Sequence, residues 1–155
     1  MHIGEICKRS VVTCGRETSA PELAQLMRDH HVGDVIVVDE YEGRQMPVGI
    51  VTDRDLVVQI MAKGVTPELV RAGDMLVGDL VTAVETEVVY DAIWHMRSKG
   101  IRRLPVVDIH AHLLGVVTAD DVTEFLATEL TELARIVPRQ IKLEEATRKP
   151  VAMKR

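Results

Sequence analysis

At 155 residues the chain has the length of one domain, or of two small repeats sharing one core. Its composition is globular, 46% hydrophobic and 28% charged, and no apolar run approaches the roughly 18 residues of a membrane span, so no spanning helix is expected. A net charge of −5 argues against general affinity for nucleic acid, although a local basic patch could still hold a phosphate.

The opening residues, Met1-His2-Ile3-Gly4-Glu5, lack a basic stretch followed by an apolar one, so no secretory signal is expected and a cytoplasmic location is the default. Aromatics are scarce (one Trp, two Tyr, one Phe), which leaves an aliphatic core and little from which to build a base-stacking surface. Cys7 and Cys14 form no zinc-ligand set and read as ordinary thiols or a redox pair.

Ile3 to Cys7 is a short apolar lead-in, and Val11 to Cys14 reads as a first strand. Ser19-Ala20-Pro21-Glu22 combines an N-cap, an early Pro and a Glu three residues after the cap, which predicts a helix start. Ala20, Leu23, Ala24 and Met27 then share one apolar face, and His30 to Gly33 ends the helix. The β-branched run Asp34 to Asp39 predicts a strand buried on both faces. Glu40 to Met46 reads as a charged loop, followed by a strand over Val48 to Val51. Thr52 to Asp55 opens a helix that runs to about Ala62, with Leu56, Val57, Ile60 and Met61 on its inner side. Lys63-Gly64 stops it, and Thr66-Pro67-Glu68-Leu69 has the cap and first-turn Pro of a brief connecting helix.

The chain then repeats itself. Val12-Thr13 corresponds to Val81-Thr82, Met27-Arg28 to Met96-Arg97, and Val37-Val38-Asp39 to Val106-Val107-Asp108, all at a separation of 69 residues. Beyond Asp39 and Asp108 the separation falls to 66, as from Gly49 to Gly115, so the second loop is three residues shorter. The helix face recurs too, as Val89, Ala92, Ile93 and Met96. Each unit of about 60 residues reads as strand, helix, strand, strand, helix, a marginal size for an independent core, so the units are expected to bury one another's apolar faces. The predicted division is 1–66 for the first unit with its lead-in, 67–128 for the second, and 129–155 for a C-terminal helix and charged tail. That helix, with Leu126, Leu130, Leu133 and Val137 at near-helical spacing, is expected to run until Pro138 and to pack on a partner or on the module's own flank, with fraying beyond Lys142.

Pro47-Val48-Gly49-Ile50-Val51-Thr52-Asp53-Arg54-Asp55-Leu56 and Leu113-Leu114-Gly115-Val116-Val117-Thr118-Ala119-Asp120-Asp121-Val122 resemble the signature of the cystathionine β-synthase (CBS) domain. Met96 to Asp108 is similar to the same family's helix-to-strand segment. The first copy departs from it, with Gly33-Asp34 in place of Arg102-Arg103 and Ile36 in place of Pro105. The resemblance covers about residues 10 to 128. It implies an α+β fold, a tandem CBS-domain repeat or Bateman module: two β-α-β-β-α units related by a pseudo-twofold axis, their sheets packed together, plus the C-terminal helix. Such modules commonly dimerise into a flat disc, bind adenosine-containing ligands between units and act as regulatory sensors.

Thr52 and Asp55, with Thr118 and Asp121, have two readings. Thr-x-x-Asp at a helix start is a capping box, and an acid there suits the helix dipole. The other reading is a ligand site. A carboxylate accepts hydrogen bonds from both neighbouring hydroxyls of a ribose, so Asp55 and Asp121 are candidate ribose clamps, while a Thr hydroxyl and first-turn N–H groups meet a phosphate oxygen. Arg54, Arg102 and Arg103 are the cations that would offset the acids, or equally solvated surface charges, with Arg103 the better candidate. By the resemblance, the segments at Thr13, Val35, Thr82, Ile101 and Leu104 supply backbone groups and an apolar slot for adenine. With Arg102-Arg103 in one repeat and Gly33-Asp34 in the other, one cleft should bind a phosphate-bearing ligand more tightly; which Asp serves it stays open.

His110 and His112 lie in a loop without the further ligands of a metal site, and no complete catalytic set is visible, so neither a metal nor an enzyme is expected. The expected function is regulatory sensing of an adenine nucleotide (AMP, ADP or ATP), signalled through a homodimer or an unknown protein target. The alternatives are an interaction module with empty clefts that recruits a partner through its C-terminal helix, or recognition of S-adenosylmethionine, nicotinamide dinucleotides or RNA in the same clefts.

Overall fold

The computed structural model describes residues 1–148, so the expected fraying of 142–155 lies partly outside the described residues. Two three-stranded sheets are present, each the same in topology. In the first, β1 (Thr13–Cys14) pairs parallel with β2 (Asp34–Tyr41), and β2 pairs antiparallel with β3 (Arg44–Thr52). In the second, β4 (Ala83–Val84), β5 (Arg103–Val107) and β6 (Leu113–Thr118) repeat that order. The crossovers are α2 (Ala20–His30), which follows the four-residue α1 (Ile3–Ile6), and α4 (Val89–Lys99). A helix also leaves each sheet: α3 (Asp53–Asp55) after β3 and α5 (Ala119–Ala134) after β6, with α6 (Ile136–Thr147) completing the described chain.

Local chemistry sets these boundaries. Ser19 accepts from the Glu22 N–H while the Glu22 carboxylate receives the Ser19 N–H at 2.7 Å, and Pro21 stands in the first turn, where its missing N–H has no partner to lose. At the other end His31 takes the left-handed conformation, φ 54°, and closes the helix with its N–H on the Met27 carbonyl. Ala20, Leu23 and Met27 are buried as expected, whereas Ala24 is exposed and Leu26 takes its place beside the core.

Three expectations are corrected. The loop expected over Glu40 to Met46 is a tight hairpin in which only Glu42 and Gly43 leave the strands; both have positive φ, 50° and 76°, the turn whose twist matches its flanking strands. The helix after Thr52 becomes a π-helix over Leu56–Met61, with the Ala62 N–H reaching back five residues to the Val57 carbonyl. That wider turn leaves Ile60 buried but Val57 and Met61 exposed rather than inward. Pro138 does not end the C-terminal helix. The break falls at Arg135, and Pro138 sits in the first turn of α6, where it sacrifices no helical hydrogen bond.

Each unit has its own core between sheet and helices. Leu23, Val35, Val37 and Val51 centre the first, and Leu104, Val106, Val117 and Val122 the second. The lead-ins are exchanged between units. Ile3 of α1 lies in the second core with Ile6 packed against it, while Ala72 and Met75, their counterparts 69 residues on in the short helix Ala72–Met75, lie in the first. Lys8 forms an antiparallel bridge with Val116 of β6, its N–H and carbonyl both bonded to Val116, and Leu76 lies against Gly49 of β3. Strands β3 and β6 meet at the seam.

Candidate functional site

Alternation along the middle strands separates two roles. Val35 and Leu104 are fully buried in the helix-side cores, so their side chains are packing residues rather than cleft walls. Ile36 and Pro105, also fully buried, belong to neither cluster and face the other way. The cleft is formed instead by strand ends from both units and the lead-in over residues 76–81.

A hollow of about 600 Å³ is lined by Ile50, Thr52, Asp53 and Arg54 of the first unit and by Ile101, Arg102 and Arg103 of the second. It shares Ile50, Ile101 and Arg103 with a narrower slot of about 160 Å³ that continues between Val48-Gly49 and the lead-in Leu76 to Val81. Thr52, Arg54, Ile101, Arg102 and Arg103, five of the residues singled out from sequence, therefore share one cleft. Thr82 follows directly on the slot's last residue, Val81. Thr13 lies elsewhere, in an open groove with Arg16 and Asp39, its hydroxyl receiving the Gln45 amide at 3.3 Å.

The capping boxes are present at both helix starts. The Asp55 Oδ2 accepts the Thr52 N–H at 2.8 Å and hydroxyl at 2.7 Å, and Thr52 Oγ1 accepts the Asp55 N–H. Among the described residues the other oxygen, Oδ1, has only the Gln59 amide, at 3.5 Å. Asp121 repeats the pattern with Thr118, at 2.8 and 2.6 Å, but its Oδ1 is held by the Lys8 ammonium at 2.6 Å. Burial opposes the charge on Asp121, yet the hydrogen bonds from Lys8 and Thr118 and the charge of Lys8 outweigh it and hold the carboxyl below its ordinary value.

Charge in the cleft is divided between the units. Arg103 Nε pairs with Asp34 Oδ1 at 2.8 Å across the seam. Burial nevertheless pushes the Asp34 carboxyl up from its ordinary value, the Arg103 charge opposing and Asp53 adding to the push. None of the ion pairs among the described residues uses Arg54 or Arg102. These two guanidiniums are the ones left to meet an anion at the rim.

Sequence reasoning missed Lys8, Ile50, Asp53 and the Leu76 to Val81 wall as site residues. The separation of 69 residues places Cys7-Lys8 opposite Leu76-Val77, and extending the repeat upstream would have flagged both lead-ins.

Elsewhere on the seam the Asp108 carboxylate receives the N–H groups of His110 and His112 at 2.8 and 2.9 Å, faces His112 Nδ1 at 3.0 Å, and lies 3.9 Å from Arg44 of the first unit. Burial raises this carboxyl, but the His112 and His110 hydrogen bonds prevail and bring it to about 2. Because the folded value is depressed, its stabilisation is complete above the ordinary carboxylate value near 4 and is lost as pH falls from about 4 to about 2. Acid titration of the melting temperature should therefore show Asp108→Asn losing less than the unmodified chain across that window; equal losses would refute the assignment. Among the described residues no three His, Cys, Asp or Glu side chains gather as a metal-holding group.

A family model for the CBS domain matches the chain twice, over residues 3–62 and 72–128. The chain is a tandem pair of CBS domains. An uncharacterised protein of Methanopyrus kandleri is 38% identical to it over 122 residues, 79% of this chain; the CBS pair spans 61% of that relative's length. Among solved structures it is similar to a CBS domain protein from Pyrobaculum aerophilum complexed with AMP (TM-score 0.71, 24% identity, covering 83% of this chain and 99% of that one). It is also similar to the CBS domain pair of protein MJ0100, solved with 5-methylthioadenosine and S-adenosyl-L-methionine (TM-score 0.70, 24% identity, covering 81% and 99%). At that identity the likeness establishes the fold: two sheets with helices, as expected from the repeat. No helix among the described residues is long and apolar enough to cross a membrane.

Proposed function

We propose that this CBS pair is a regulatory module that takes an adenosine-containing ligand, an adenine nucleotide such as AMP, ADP or ATP, in the cleft between its units. The observation that carries this reading is the convergence of one apolar slot, between Ile50, Val81 and Ile101, with the unpaired Arg54 and Arg102 at its mouth. The slot suits an adenine edge and the arginines a phosphate, while Asp55, joined to the cleft through Thr52, has the carboxylate oxygen a ribose would use. Two structural neighbours solved with adenosine compounds support the ligand class.

Occupancy is read out through a homodimer or a protein target, provided the ligand favours one arrangement over the other. The exposed apolar residues Val57 and Met61 after α3, and Tyr90 and Trp94 on α4, support a second copy packing on the helix side. A second reading, a partner-recruiting module, is favoured by Leu130, Leu133, Ile136, Val137 and Ile141, all exposed along α5 and α6.

Calorimetric titration with AMP, ADP, ATP and inorganic pyrophosphate tests the proposal. Saturable binding of a nucleotide with a much weaker response to pyrophosphate is expected. An equal response to pyrophosphate and AMP would remove adenine recognition, and silence from all three nucleotides would leave the recruiting module.

A further inference from the structure

The two units offer two equivalent corners, one at Thr52–Asp55 and one at Thr118–Asp121, and their contents differ sharply. In both, one carboxylate oxygen is committed to the cap. At the first corner the second oxygen has a single long contact from Gln59, 3.5 Å. At the other it carries the Lys8 ammonium at 2.6 Å, and Asp121 is only 8% exposed. Lys8 is placed there by the backbone, since its N–H and carbonyl both bond to Val116 of β6. Its counterpart 69 residues on is Val77, uncharged and 86% exposed, and among the described residues no cation pairs with Asp55.

The surrounding charge differs in the same sense. Arg54, in the first turn at the first corner, has Asp120 as its counterpart at the second. At the second corner Lys8 is the cation on the acid.

We propose that Lys8 is a built-in occupant of the second corner: its ammonium holds the Asp121 carboxylate that a ligand's sugar would need, so the pair takes one adenosine ligand per chain. This rests on the adenosine reading above and adds to it the stoichiometry and the residue that sets it. The second place opens only when Lys8 leaves Asp121.

The test is calorimetric titration with adenosine, an uncharged probe that the acidic corner does not repel, on the unmodified chain and on Lys8→Ala. The Lys8 side chain is 67% exposed, so its removal opens no cavity, and Lys8→Met retains the stem as a second variant. The expected result is one adenosine per chain in the unmodified protein and two in both variants, the added site disappearing when Asp121→Ala is combined with Lys8→Ala. Equal stoichiometry in the unmodified protein and the Lys8 variants would overturn the role of Lys8. No binding to the unmodified chain but one site in Lys8→Ala would sustain the role of Lys8 and overturn the adenosine reading of the first cleft.

Discussion

Asp55→Ala is expected to weaken AMP binding about 10- to 150-fold, the range that follows from losing hydrogen bonds to a charged group of about 1.5–3 kcal/mol. Asp55 is the acid whose second oxygen remains available, and it is bonded to Thr52, which lines the cleft. The substitution also removes half of a capping box, so a loss of stability of about 1 kcal/mol should accompany it and is to be measured separately by denaturant unfolding. Asp121→Ala is the informative control. It removes an equivalent cap, but its carboxylate is held by Lys8, so AMP affinity should stay within about twofold of the unmodified chain. Equal loss of affinity in both variants would mean that the effect travels through folding, and unchanged affinity in Asp55→Ala would remove Asp55 from the site.

Gly115→Ala should destabilise the fold by about 3 kcal/mol, whereas Gly49→Ala, its counterpart in the first unit, should cost about 1 kcal/mol. A Cβ on Gly115 would lie 2.5 Å from the Lys8 carbonyl oxygen and 3.1 Å from the Cys7 sulfur. The obstacle is backbone, and relieving it pulls the lead-in off β6 and breaks both Lys8–Val116 hydrogen bonds, 2.8 and 2.9 Å. A Cβ on Gly49 meets the Leu76 side chain, its nearest atom at 2.2 Å, and the far end of a leucine can turn to another rotamer. Urea unfolding of the two variants decides the matter. Equal costs, or a larger one at Gly49, would show that residues 7–9 are not held to β6 as described. Because Gly115→Ala displaces Lys8, its surviving folded fraction should also show the additional adenosine site expected of Lys8→Ala.

Much of this architecture is legible in the amino-acid sequence. The recurrence of Met27-Arg28 as Met96-Arg97, and of Gly-x-x-Thr-x-x-Asp from Gly49 and Gly115, carried the duplication, the strand order within a unit and the family. Ser19, Thr52 and Thr118 could be placed at helix starts because a cap is a contact across three residues. The same shortness of range explains the errors. Glu42-Gly43 carried a hairpin signal weaker than Asn-Gly, and the charged residues around it resembled a loop. Pro138 reads as a stop unless the chain has already broken at Arg135.

Periodicity, capping and duplication act between neighbours or between copies, so the amino-acid order alone determined two like units, their elements and the pair of Thr-Asp corners. Which side chains face the cleft depended on how the units dock: Thr13 went to a separate groove, Val35 and Leu104 to the cores, and Arg102 and Ile50 to the cleft. Arg103 found Asp34, and Lys8 found Asp121, across the seam. Such pairings follow from where two packed bodies place charges far apart in the chain, and folding settles them only once the exchanged lead-ins and the two cores are in place.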